Sequence, residues 1–288
     1  MIMGNDISKY QGDIAWDVYK NNSNFVIIKS SEGFGYTDPK FYQNQSEARR
    51  VGLPLGYYHF ARPDLGNSPE KEASWFLGAL GGLREGEFLC LDYEVNWNGN
   101  VVSWCKRFLD CLCLSGETNG IKSFIYLNQA LIKAHDWSPV VTASYPLWVA
   151  AYTYDPNNNN FVTGAWSGAA MQQWTNKQTV PGITGEVDGN AFFGTVESLK
   201  RYGYRTPEPP EPPAPPVEPP EPPEITCEEQ IKVAVDRAIL DRDLVWQKTL
   251  ESANQTIQAV CQQNFSEVPW KVLLSWGWKN FWKSKKSL

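Results

Sequence analysis

The sequence predicts an α/β chain: a TIM-like (β/α)5(β)3 barrel over residues 1–205, a Pro/Glu-rich polyproline linker over 206–224, and an α-helical C-terminal region over 225–288. Three observations carry this. Continuous apolar runs alternate with capped amphipathic stretches in the first half, as parallel strands covered on both faces require. After about residue 146 the helical pattern stops and short strand-like segments follow, so the last part of the barrel closes without its outer helices. Eleven of the seventeen residues from 207 to 223 are proline, and proline, with its fixed φ and no N–H, builds neither helix nor sheet ladder.

The elements follow in order. The first strand ends at Asp6, and the second, at 25–28, runs into Lys29-Ser30-Ser31-Glu32. Asp38-Pro39 opens a helix over 39–51, with an acidic cap and proline at the first position. The third strand, 55–58, leads into Tyr58-His59-Phe60, and Ser68-Pro69 starts a second helix in the same way. The fourth strand, 87–91, ends in Asp92-Tyr93-Glu94 and precedes a helix over 101–114 with Trp104, Phe108 and Leu112 on one side. A fifth strand at 123–126 ends in Tyr126-Leu127-Asn128. Segments 147–151, 170–174 and 186–193 supply the late strands, and the last carries Asp188.

In a barrel of this kind, chemistry sits at the C-terminal ends of the strands. There the acids accumulate: Asp6, Glu32, Asp92, Glu94 and Asp188 would converge on one rim. Such crowding is costly unless it is used, because like charges raise one another's pKa. Asp92 and Glu94 are two residues apart on a strand and therefore face the same side. Two carboxylates in one cleft suit glycosidic bond cleavage, one protonated as the acid and the other ionised. The alternatives at this point are a carboxylate metal site and an inert acidic strand end. Tyr58, Tyr126 and Trp148 could stack on sugar faces or simply fill the core.

Six ordered blocks then carry a specific resemblance. DISKYQG (6–12), FVIIKSSEGFGYTDP (25–39), GYYHFARP (56–63), LDYEVN (91–96), LWVAAY (147–152) and QQWT with VDGNAF (172–193) resemble glycoside hydrolase family 25 lysozymes in content and order. The resemblance implies a barrel of five βα units and three further strands. It also implies N-acetylmuramidase activity on the β-1,4 bond between N-acetylmuramic acid and N-acetylglucosamine of peptidoglycan. On it, Glu94 is the general acid, and Asp92 stabilises positive charge or orients the substrate's own N-acetyl group. Asp6 and Asp188 match acids that position substrate and keep the Glu94 pKa high. Glu32 matches a further cleft acid, and Tyr58, Tyr126, Trp148 and Gln173 match substrate-contacting positions. No cofactor and no metal are implied, and a non-catalytic sugar-binding protein is disfavoured by the intact Asp92 and Glu94.

The rest of the chain is read from composition. The linker should be a polyproline II spacer of roughly 50 Å at about 3.1 Å per residue. Residues 226–264 contain neither proline nor glycine and place apolar residues at three- and four-residue spacing, interrupted by Arg242 and Asp243. This reads as one long amphipathic helix, with Thr226 and Glu229 as a capping box, that self-associates or docks on another protein. Residues 269–286 combine Trp270, Trp276, Trp278 and Trp282 with Lys271, Lys279, Lys283 and Lys286. That pattern suits an anionic membrane surface or a wall polymer.

Composition sets the limits. The chain has 288 residues, net charge -6 and 20% charged residues, a balance that excludes broad nucleic-acid binding. Its six cysteines match no zinc spacing and read as free thiols. The segment MIMGNDISKYQG has neither charged n-region nor apolar h-region, so no signal peptide is expected. The expectation is a phage endolysin made in the host cytoplasm and released to the wall through a holin lesion. A virion-associated lysin anchored through the long helix is the alternative.

Overall fold

The computed structural model describes residues 1–206 and 227–262; in the second stretch side chains are described over 236–255. The chain divides into two units, Met1–Pro210 and Glu211–Leu288.

The first unit is a closed eight-stranded barrel. Strands β1 (Ile2–Ile7), β2 (Phe25–Glu32), β4 (Leu55–Phe60), β5 (Phe88–Asp92), β6 (Phe124–Asn128) and β7 (Leu147–Ala150) pair in this order, each parallel to the next. Strand β8 (Met171–Gln178) pairs parallel with β7, and β9 (Val187–Phe192) returns antiparallel between β8 and β1 to close the ring. The two-residue strand β3 (Tyr36–Thr37) hangs on the end of β2 as a hairpin.

Helices α1 (Trp16–Tyr19), α2 (Phe41–Val51), α3 (Pro69–Leu80), α4 (Val101–Leu114), α5 (Gln129–Ala134) and α6 (Ser138–Thr142) lie in the connections between successive parallel strands, and α7 (Val196–Lys200) follows β9. Helix starts follow the capping chemistry. Ser68 accepts from the Lys71 N–H ahead of Pro69, and Asn100 accepts from Ser103. Asn128 ends β6 and at once caps α5 by accepting from Leu131. The first helix differs from expectation. The Asp38 carboxylate accepts from the Lys40 and Lys9 N–H groups, so α2 begins only at Phe41.

Two apolar layers hold the barrel. Phe25, Ile27, Phe88, Cys90, Phe124, Met171 and Phe192 fill its interior, while Val26, Ile28, Tyr57, Leu89, Leu91 and their neighbours face the helices. Period-two alternation along each strand makes this division. Gly56 belongs to the inner layer for lack of a side chain, since a Cβ there would collide with the Phe88 ring. The thiols of Cys90, Cys105, Cys111 and Cys113 are free.

Behind the barrel wall, His59 and Glu72 are wholly buried. The His59 Nε2–H donates to Glu72 at 2.9 Å, and Ser31 lies 2.9 Å from Nδ1. Burial holds the His59 pKa down, so the ring is neutral. Glu72 also accepts the Arg62 N–H. The motif's only strand-end histidine thus packs between Phe76 and Phe108, away from the rim.

In the second unit, α8 (Cys227–Gln262) is a single helix of 36 residues. Every side chain described over 236–255 is exposed, Ile239, Leu240, Leu244, Val245, Trp246 and Leu250 among them. The linker over 207–224 and the Trp/Lys-rich stretch over 269–286 lie outside the described residues, as do Thr226 and the last two residues expected of the helix.

Candidate active site

The interior side chains change character along each strand. Below they are Phe and Ile; at the rim where the parallel strands end they become Asp6, Lys29, Tyr58, Phe60, Asp92, Tyr126, Trp148 and Gln173, joined by Asp188 from the start of the antiparallel β9. Together with Glu94, just beyond β5, and Tyr152 beyond β7, they line a cleft of about 260 Å³. The structure therefore brings together eight of the nine residues singled out from the sequence, all except Glu32.

Asp6 and Asp188 are register partners across the antiparallel β1–β9 pair, and each carboxyl acts on the pKa of the other. Asp6 Oδ1 also accepts from Asn190 Nδ2 at 2.7 Å and from Gln173 Nε2 at 2.9 Å. Each amide is held in turn. Trp148 Nε1 donates to Asn190 Oδ1 at 2.9 Å, and the Tyr126 and Tyr152 hydroxyls donate to Gln173 Oε1 at 2.9 and 3.0 Å. Burial raises the pKa of both acids, and the charge of Asp6 pushes Asp188 further, to about 8. Two amide donors on one oxygen favour the ionised form of Asp6. The shared proton therefore resides on Asp188.

Asp92 is buried, and Glu94 projects into the open mouth. Burial first, and the charge of Glu94 second, push Asp92 well above the carboxylate range. Glu94 is raised by burial in the cleft and then by Asp6. The charge of Glu94 opposes ionisation of Asp92, so the two acids do not ionise independently. Among the described residues, Asp92 Oδ1 is a buried oxygen with no hydrogen-bond partner. Tyr58 is held a neutral phenol by burial and by the charges of Asp6 and Asp92.

Glu32 has a different role from the other acids. It accepts from Lys29 Nζ at 2.7 Å and from Arg62 Nη1 at 2.9 Å. Burial opposes its ionisation, but these two cations outweigh it and hold the pKa low. It is a neutralised ion-pair member at the edge, which steadies Lys29.

Sequence reasoning did not single out Lys29, Asn190, Tyr152 or Phe60. The signal for the first two was present. Phe25, Ile27 and Lys29 share one face by period two, as do Asp188, Asn190 and Phe192. Lys29, 4.8 Å from the Phe60 ring centroid, is the cation among the acids lining the cleft. Its charge lowers the pKa of Asp92 and of Glu94.

Comparison with known proteins identifies the family. The family model described as glycosyl hydrolases family 25 matches residues 5–183. A protein of Escherichia coli K12, YegX, described as uncharacterized, is 32% identical over 209 residues, covering 70% of this chain and 73% of its own. Lysozyme M1 of Streptomyces globisporus is 29% identical over 227 residues, 69% of this chain and 70% of the relative. Among solved structures, the catalytic domain of endolysin ply40, from bacteriophage P40 of Listeria monocytogenes, superposes with a TM-score of 0.56 at 32% identity. That match covers 69% of this chain and 97% of the phage domain.

Proposed function

The chain belongs to glycosyl hydrolases family 25, and from that premise we propose that it cleaves the β-1,4 bond between N-acetylmuramic acid and N-acetylglucosamine during bacterial cell-wall lysis. The family places it among peptidoglycan-hydrolysing lysozymes; the bond, the biological setting and the roles of the residues are our reading. The observation that supports it most is the Asp92–Glu94 pair, one acid buried and the other at the cleft mouth, in a ring of further acids.

Each residue has a physical task. Glu94 keeps a proton because it is partly desolvated and faces the negative charge of Asp6. Its position at the mouth lets it hand that proton to the leaving glycosidic oxygen. Burial is the larger cause of the raised Asp92 pKa; a protonated Glu94 removes the second, and the Lys29 ammonium together with the positive charge developing on the sugar draws Asp92 to its carboxylate. Asp92 then stabilises the oxocarbenium-like charge or orients the N-acetyl group that does so. Asp188, protonated, donates to substrate oxygens or to Asp6, while ionised Asp6 keeps Glu94 loaded. Tyr58, Tyr126 and Trp148 offer ring surface to the sugar.

The test is release of reducing ends from purified peptidoglycan, with Glu94→Gln as comparison. Loss of a general acid should lower kcat by about 10³-fold. A wild-type chain that releases none, or a variant equal to it, removes the proposal.

For the biological role we propose a phage endolysin whose tail directs the barrel to its target after holin-mediated release. The exposed apolar side chains of α8 suit a protein partner or a second copy equally well, which favours a virion-anchored lysin as the second reading. Co-purification of the full chain with intact particles selects the anchored form. Binding to anionic vesicles or to stripped walls, without particles, selects the released one.

A further inference from the structure

Outside the cleft, a second groove of about 340 Å³ runs between the β2–β3 turn and helices α2 and α3. Phe34, Tyr42 and Trp75 line it, with the first 50% and the second 60% exposed. Their rings are displayed by construction. Phe34 stands between Gly33 at φ +51° and Gly35 at φ +94°, a left-handed turn that side chains rarely adopt. Lys71 Nζ lies 3.9 Å from the Phe34 centroid, and the Trp75 ring meets Phe34 edge-on at 5.3 Å. The indole N–H of Trp75 donates to the Tyr36 carbonyl at 3.0 Å, which fixes its plane.

The floor of the groove is bare. Gly78 lies in the interior of α3, where alanine is favoured over glycine. A Cβ at Gly78 would meet nothing within 4 Å, so packing does not require a glycine there. Its effect is to leave the groove open beneath the three rings.

A chain of side-chain contacts links the groove to the cleft, although the two share no lining residue. Tyr36, whose carbonyl holds Trp75, presents its ring to Lys9 Nζ at 5.5 Å. Lys9 Nζ also lies 5.2 Å from the ring of Tyr10, which lines the cleft. Aromatic faces, the hydroxyls of Thr37 and Ser74, and the Lys71 ammonium meet at the groove. A lipid chain would require unbroken aliphatic surface. A hexosamine offers apolar C–H faces for the rings and hydroxyl edges for the polar groups, and the lactyl carboxylate of a muramyl residue complements Lys71.

We propose that this groove is a secondary glycan subsite that holds the peptidoglycan strand away from the scissile bond. The proposal rests on the muramidase reading above. A second hold on one polymer makes engagement of the cleft intramolecular and raises its effective concentration.

Gly78→Gln in the full-length chain tests it, because glutamine suits a helix and fills the groove while leaving the cleft untouched. Two substrates are compared: long glycan strands, and a soluble oligomer too short to reach the groove. We expect KM on long strands to rise by about fivefold or more, with kcat and all values on the short oligomer unchanged. Phe34→Ser should act in the same direction. Equal rates for variant and wild type on both substrates overturn the subsite, and so does an equal loss on both. A wild-type dimer that becomes monomeric in Gly78→Gln also overturns it, in favour of a contact between copies. Affinity of the Glu94→Gln protein for long strands, with and without Gly78→Gln, is measured in parallel. A wild-type chain that releases no reducing ends, beside a Glu94→Gln protein that loses about fivefold in affinity through Gly78→Gln, refutes the muramidase reading and sustains the subsite.

Discussion

Asp6 and Asp188 stand opposite each other across the β1–β9 pair with one proton between them, and two side-chain amides assign it to Asp188. Asn190 and Gln173 both donate to Asp6 Oδ1, which makes Asp6 the charged member. Since Asp6 is the charge that helps raise Glu94, these amides act on the acid at the mouth without touching it.

Removing either amide should therefore be visible in the pH dependence. In Asn190→Ala or Gln173→Leu, Asp6 ionises less readily and its field at Glu94 weakens. The alkaline limb of kcat/KM, which reports loss of the Glu94 proton, should move down by about one pH unit or less. A limb that stays in place while kcat falls would reduce both residues to packing.

Lys29 makes the opposite prediction. Its ammonium lowers the pKa of Asp92 and Glu94, so Lys29→Met should move both limbs of the profile upward. The same pH series, measured beside the amide variants, checks the direction.

Folding stability should also depend on pH through Asp188. Its folded pKa is about 8 against an ordinary 3.8, so the folded state holds a proton that the unfolded chain releases. The stabilisation is complete below the unfolded value and is lost as pH rises through the folded one. Thermal midpoints should fall toward alkaline pH across this window, and Asp188→Asn should flatten the fall. An unchanged slope would place the proton elsewhere.

The pair behind the wall predicts a stability effect of another kind. Glu72→Ala would leave the buried His59 Nε2–H and the Arg62 N–H without their acceptor. Each orphaned donor carries a desolvation cost, so a loss of about 3 kcal/mol in denaturant unfolding is expected. The kcat of the surviving folded protein should not change, because neither residue lines the cleft.

Much of this was legible from strand periodicity. The apolar runs marked the parallel strands, and the polar residues at their ends marked the rim, because a strand sends alternate side chains to one face. Asp92 follows this rule, while Glu94 reaches the same cleft from the segment just beyond β5. The pairing of Glu32 was not legible by the same rule. The strand shifts register between Lys29 and Ser31, which brings Glu32 against Lys29 and Arg62. An irregularity of this sort leaves no mark in local composition. His59, within a motif rich in site residues, serves the core because its partner, Glu72, comes from a separate helix.

The sequence by itself determined the barrel, its family and the acids at its rim, since hydrophobic period, capping residues and ordered motifs are local properties. Tertiary structure alone decided which acid is charged, which is proton-loaded and which is neutralised. Those outcomes depend on distances between β1, β8 and β9 and between β2 and Arg62, and on burial that removes water from some carboxylates and not others. An electrostatic field sums over neighbours in space, and no spacing along the chain reports that sum.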